Sequence, residues 1–478
     1  MTYPSGAKVS YGRDSQGRIT SVYINRNPFI TNVAYLPFGP MSQITFQNGK
    51  TLSQTYDQNY DIDSILSTAT HGLNLDYSID EVGNIKQVNQ SGAVFNLAYD
   101  KLYRLLSVKD QNQALIEEFG YDATGNRTSK KIGSSLALNY SYPAANHKLI
   151  DAGNGARAFD ANGNTTTLPG NVGLTYDERN RLSAASSISA LSLRKYNARG
   201  ERIEKIASAS QNGDLGKTIG GGCIGSNFSE LFMYSESGAL LGHYDLCSPF
   251  DEDVVYIDSI PVARVLNQAV FPLEADHLGS PRAMQNPDGT ASVWTWNLLS
   301  NLPTGSNAFG EQAPTGKQVF NLRFPGQYAD GDGLHYNYFR DYDAGTGRYV
   351  ESDPIGLKGG IATYAYTFNR PLMFSDPTGE AVPAILVCLG GGCEAAVAWC
   401  AAVGATAVTL FAADTAIQCA NGDLGICADR NKERCYADCY VAYEVGNDLC
   451  RQIRTKRGRQ ICWENQNILL SECQRKCK

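Results

Sequence analysis

A short turn motif recurs through the first half of this 478-residue chain and fixes the period of what the chain can build. Each copy has Tyr or Phe, then Asp, two variable residues, Gly or Asn, and Arg or Asn. The clearest copies are Tyr11…Asp14…Gly17-Arg18, Tyr77…Asp80…Gly83-Asn84 and Tyr121-Asp122…Gly125-Asn126-Arg127. Others are Phe159-Asp160…Gly163-Asn164, Tyr176-Asp177…Asn180-Arg181 and Tyr196-Asn197…Gly200-Glu201-Arg202. Tyr77, Tyr99 and Tyr121 stand 22 residues apart. A period near 20 marks one supersecondary unit repeated along the chain. Asp opens a turn and Gly or Asn takes its left-handed position, so each copy predicts a hairpin between short strands. One hairpin cannot bury its aromatic face alone, so neighbours must stack into a continuous sheet.

Composition agrees with that reading. With 27 Tyr, 47 Gly and few charges, the chain suits many short strands and turns, not helical bundles or disorder. A net charge of −7 leaves no basic excess for a nucleic-acid partner. Residues Met1-Thr2-Tyr3-Pro4 carry neither a basic region nor an apolar run, so no signal peptide is visible. The start reads like the middle of a repeat, and the expectation is a fragment of a longer protein or a short orphan copy.

A different block follows. It contains Arg323-Phe324-Pro325-Gly326-Gln327-Tyr328, Asp332-Gly333-Leu334-His335-Tyr336-Asn337-Tyr338 and Gly347-Arg348-Tyr349. Two Asp-Pro-x-Gly turns close it, Asp353-Pro354-Ile355-Gly356 and Asp376-Pro377-Thr378-Gly379, 23 residues apart. Asp at the first turn position, Pro at the second and Gly at the fourth suit a type I turn. The sharper reading is a carboxylate dyad, in which one acid stays protonated and the other activates water. Both readings stay open on the residues alone.

The block resembles the end of the Rhs (rearrangement hotspot) core, and the repeats resemble the YD repeats of Rhs and Tc-toxin shell proteins. Asp276-His277-Leu278-Gly279-Ser280-Pro281-Arg282 matches a further Rhs landmark. The resemblance covers roughly residues 1–380. It implies a mainly β fold: a YD-repeat β-sheet spiral (a partial cocoon) over 1–222 and an Rhs repeat-associated core over 223–379. The family shell has many more repeats than this chain, so a closed cage from this chain alone is not expected. The resemblance also implies that Asp353 and Asp376 form an internal aspartic autoprotease, cutting near Glu380-Ala381, with Arg348 or Arg370 holding one carboxylate ionised. Glu380 stands where the family usually has Leu, which puts an anion at the cleavage point.

Composition changes at the same place: two cysteines precede Gly379 and eleven follow it. Residues 380–427 predict an apolar helical segment. Its stretch 381–417 is long enough for contact with a membrane, or for burial inside a shell. Residues 428–478 predict a helical hairpin. Cys435 and Cys477, Cys439 and Cys473, and Cys450 and Cys462 are symmetric about Lys456, which lies in a turn-like Thr455-Lys456-Arg457-Gly458. Such symmetry predicts three nested disulfides across antiparallel helices and an oxidising destination, secreted or in a cell envelope. Zinc is the rival reading of the two Cys-x3-Cys pairs, but it leaves the third pair unexplained, so no metal is expected. Cys223 and Cys247 either pair or are buried singly. Cys388, Cys393, Cys400, Cys419 and Cys427 leave one thiol over. All five histidines precede residue 380, which argues against a His-dependent nuclease in the tail. The basic cluster Arg451, Arg454, Lys456, Arg457 and Arg459 reads as a solvated loop or an acidic-lipid contact.

The leading expectation is a shell that carries its own C-terminal tail as toxin cargo in competition between bacteria. The resemblance implies a cognate immunity protein and a secretion-system component as partners, and no cofactor is expected. The alternatives are a non-enzymatic surface or adhesion module with a Cys-rich binding head, and a silent remnant.

Overall fold

In a computed structural model the chain divides into two units, Met1–Glu380 and Ala381–Lys478. The structure describes residues 1–380 apart from 38, 145, 189, 209–226, 246–249 and 301–307. The helical cysteine-rich region, its disulfides, the 381–417 stretch, Cys223 and Cys247 all lie outside the described residues.

The described part is mainly β, with two short 3-10 turns as its only helices among the described residues. Thirteen antiparallel strands, from Val9–Arg13 to Leu138–Asn139, pair strictly in chain order. Fourteen more, from Ala158–Phe159 to Thr315–Gly316, do the same. The expected boundary at residue 222 falls between Arg202–Ser208 and Asn227–Tyr234, which pair with each other. A third sheet of four strands holds Tyr328–Ala329, Leu334–Asn337, Arg340–Asp343 and Arg348–Tyr349.

The repeat motif explains the meander. Asp122 Oδ1 accepts the backbone N–H groups of Thr124 and Asn126, both at 2.9 Å, and Gly125 takes φ +91°. Asp14, Asp80, Asp100 and Asp177 close their turns in the same way. Tyrosine supplies the link between copies. Tyr99, Tyr121 and Tyr196 donate their hydroxyls to Ile85, Leu105 and Leu182, each the residue directly after an earlier turn. The turn's arginine lies under the tyrosine that follows: Arg104 is 4.8 Å from the Tyr121 ring centre and Arg181 is 4.5 Å from that of Tyr196. Asp therefore shapes one turn, while Tyr and Arg stitch successive turns together.

Val22, Ile44, Ile65, Leu75, Val88 and Val108, at alternate strand positions, form one side of the main core, against Val255, Ile257 and Val262. A second core is aromatic: Trp294, Trp296, Phe324, Tyr328, Tyr336, Tyr342, Tyr349 and Tyr366. It covers the four-stranded sheet so fully that Leu334–Asn337 is buried at every position. Charges trapped nearby are paired. Arg194 and Arg202 both bind the Asp330 carboxylate, and Arg264 meets Glu252 at 2.5 Å. Asp276 turns out to close another repeat-type turn, accepting from Leu278 and Ser280 and binding Arg282 Nε at 2.7 Å.

Candidate active site at the two Asp-Pro-x-Gly turns

The site begins with a hairpin. Leu334–Asn337 and Arg340–Asp343 are joined by Tyr338-Phe339, with Tyr338 at φ +56°. The tip of this hairpin grips the second Asp-Pro-x-Gly turn at three carbonyls. Asn337 Nδ2 donates to the Asp376 carbonyl at 2.9 Å, and the Phe339 N–H donates to that of Thr378 at 3.1 Å. Arg340 Nε donates to the Gly379 carbonyl. The approach is too close for a side chain: a Cβ on Gly379, at φ +70°, would collide with the Asn337 carbonyl oxygen.

Arg340 also brings the two aspartates together. Its Nη2 lies 3.0 Å from Asp353 Oδ2 and 3.2 Å from Asp376 Oδ2. Its guanidinium is 3.7 Å from the ring centre of Tyr349, whose hydroxyl donates to Asp376 Oδ2 at 2.9 Å. Both aspartates keep their turn role as well. Asp353 Oδ1 accepts the Ile355 N–H at 3.0 Å, and Asp376 Oδ1 accepts that of Glu380 at 3.1 Å. The sequence-expected pair therefore shares one cation. Arg348 and Arg370 point elsewhere: Arg348 donates to the His147 carbonyl at 2.8 Å, and Arg370 to Asn84 Oδ1 at 3.1 Å. Arg340 occupies the place expected of them.

Burial, outweighing the pull of Arg340, pushes the Asp353 carboxyl up to about 6. Asp376 and Glu380 move up for the same first reason. The peptide link at Glu380 runs through the middle of this group. Gly359 has Asp353 Oδ2 and the Glu380 carbonyl oxygen beside it; a Cβ there would collide with the first and lie 3.0 Å from the second. Ala381 lies outside the described residues. On its other side Asp353 lines a cleft of about 360 Å³, shared with Asn162, Asn180, Arg199, Phe339 and Glu351.

Sequence reasoning missed a second acid pair. Asp341 and Glu351 are both buried, and Glu351 Oε2 accepts the Asp341 N–H at 2.8 Å. Asp341 Oδ1 and Glu351 Oε1 have no hydrogen-bond partner among the described residues. Burial raises both carboxyls, and Arg194 near Asp341 only partly offsets it. The available signal was Arg340-Asp341-Tyr342-Asp343, charges set in an aromatic block with no turn residue to explain them. Among the described residues no cluster of His, Cys, Asp or Glu could hold a metal ion, and no helix is long and apolar enough to cross a membrane.

No family model matches the chain. It is 27% identical over 331 residues to double-stranded DNA deaminase toxin A of Burkholderia cenocepacia, covering 64% of this chain and 22% of that protein. It is 39% identical over 105 residues to the probable deoxyribonuclease RhsA of Dickeya dadantii, covering 22% of this chain and 7% of that protein. Its fold matches a TcdB2–TccC3–Cdc42 crystal structure with a TM-score of 0.65 at 17% identity, over 81% of this chain and 21% of that one. The chain thus spans less than a quarter of the length of each.

Proposed function

This chain is an Rhs-type YD-repeat protein of the polymorphic-toxin class, and from that premise we propose that residues 1–380 are shell and that the residues from 381 on are cargo. The shell carries the cargo and releases it by cutting its own chain at Glu380-Ala381, in competition between bacteria. The observation that carries this reading is Arg340, which holds Asp353, Asp376 and the Gly379 carbonyl together where the composition changes. Cargo used in this way acts outside its producer, in a secreted or envelope setting. A secretion-system component would deliver it and a cognate immunity protein would protect the producer. The adhesion alternative gains no support from the names of the relatives.

The chemistry is hydrolysis by a carboxyl pair. One carboxylate takes a proton from water, whose oxygen bonds to the Glu380 carbonyl carbon. The protonated partner gives its proton to the carbonyl oxygen. Collapse breaks the C–N bond, and the nitrogen leaves with a proton as the new amine. Asp353 is suited to the acid role, because it keeps a proton close to neutral pH and stands beside the Glu380 carbonyl. Asp376, tied to Tyr349 and Arg340, is suited to the ionised one. The cleft beside Asp353 gives water a way in. The Asp341–Glu351 pair is a further proton store close by.

Intact mass spectrometry of the expressed full chain tests this, with Asp353→Asn and Asp376→Asn beside wild type. The expected result is a cut at Glu380 in wild type that is absent from both variants. One uncut mass in all three would leave the aspartates as turn residues.

A further inference from the structure

Three carboxyl groups crowd one guanidinium at this site, and the third belongs to the residue at the proposed cut. Arg340 Nη2 already serves Asp353 and Asp376, at 3.0 and 3.2 Å, while its Nε is spent on the Gly379 carbonyl. Glu380 is held in the same group by its backbone. Its N–H is bound to Asp376 Oδ1 at 3.1 Å, and its carbonyl oxygen lies against Gly359 beside Asp353 Oδ2. The charged groups that face its carboxyl are Arg340 and Asp376, and Asp353 and Tyr338 feel it in turn. With all three acids ionised, one positive charge would answer three negative ones. Like charges so placed hold a proton between them.

We propose that Glu380 sets the upper pH limit of self-cleavage: its carboxylate competes for Arg340 and so keeps on the Asp353/Asp376 pair the proton that hydrolysis needs. This rests on the self-cleavage reading. It gives the anion at the cleavage point a use, where the sequence suggested only an obstacle. An uncharged residue at 380 would leave Arg340 to the two aspartates alone, and the pair would lose its proton at lower pH. Glu380 acts here through the dyad and is a positioning residue.

The test is the pH–rate profile of self-cleavage, read by intact mass on the full chain, for wild type, Glu380→Gln, Glu380→Leu and Glu380→Asp. The alkaline limb should move down by roughly half to one pH unit in Gln and Leu, and stay in place in Asp, which keeps the charge. A change in packing alone would alter the maximum rate and leave the limb where it was. An alkaline limb in Glu380→Gln at or above that of wild type overturns the inference and leaves self-cleavage intact. A complete absence of cleavage at every pH in all four chains overturns the self-cleavage reading and the inference with it.

Discussion

The repeat turns and the two Asp-Pro-x-Gly turns use the same local device and end in opposite electrostatic states. In both, an aspartate opens a turn and accepts the backbone N–H groups that follow it. At Asp122 the turn is at the sheet edge, and hydrogen bonds from Thr124 and Asn126 outweigh burial and hold the carboxyl below its usual range. At Asp353 the aromatic core and the hairpin tip close over the turn, burial outweighs Arg340, and the carboxyl moves up. A residue that merely shapes the chain in one place becomes a proton holder in the other. The difference comes from what covers the turn, not from the turn itself.

The strongest way to break the comparison is to remove the cation. Arg340→Gln leaves Asp353 and Asp376 buried without a guanidinium and frees the Gly379 carbonyl. Stranding buried charge in this way costs about 3–5 kcal/mol. Denaturant unfolding of the full chain should show that loss, and self-cleavage should fall below detection. Adding Asp353→Asn to Arg340→Gln should recover part of the stability, because one stranded acid is gone. A double variant no more stable than the single would mean that Arg340 matters for packing against Tyr349 and not for charge.

A pH series sharpens the same contrast. The folded Asp353 carboxyl sits at about 6, above its unfolded value near 4. Its contribution to stability is therefore complete below the unfolded value and is lost as pH rises through the folded one. Asp122 has the opposite sign: it stabilises above its unfolded value and loses that contribution as pH falls. In a background where Asp376→Asn blocks cleavage, the stability difference between the chains with and without Asp353→Asn should shrink from pH 4 to pH 7. For Asp122→Asn, the difference should grow over the lower part of that range. Identical trends at the two positions would show that the turns share one environment.

What the sequence revealed follows from the same division. The repeat turns were legible because Asp, Gly and the aromatic act within a few residues of each other. Asp353 and Asp376 were legible as turns for the same reason. Arg340 was not. It stands 13 residues before Asp353 and 36 before Asp376, and no periodicity joins them. Only the hairpin at Tyr338-Phe339, folded onto Thr378 and Gly379, brings it there. Arg348 looked equally suitable in sequence, but its strand turns it toward His147 and the ring of Tyr142. The Asp341–Glu351 pair was hidden because its strands are covered on both faces, so the alternation that separates inside from outside does not exist there.

The smallest effect tests the repeat itself. Tyr121 donates to the Leu105 carbonyl at 2.9 Å and takes Arg104 under its ring. Tyr121→Phe keeps the ring and its place over Arg104, and removes only the hydroxyl. The Leu105 carbonyl then loses one donor, worth about 1 kcal/mol. If tyrosine is the stitch between successive turns, Tyr99→Phe and Tyr196→Phe should cost the same amount, because each breaks the same bond one or more repeats away. Their costs should also add, since the bonds share no partners. None of the three should alter self-cleavage, because each hydroxyl bonds a strand carbonyl remote in sequence from Arg340 and the two Asp-Pro-x-Gly turns. A loss well above that figure at one position would show that the repeats are not equivalent units, and that the sheet depends on that strand more than on its neighbours.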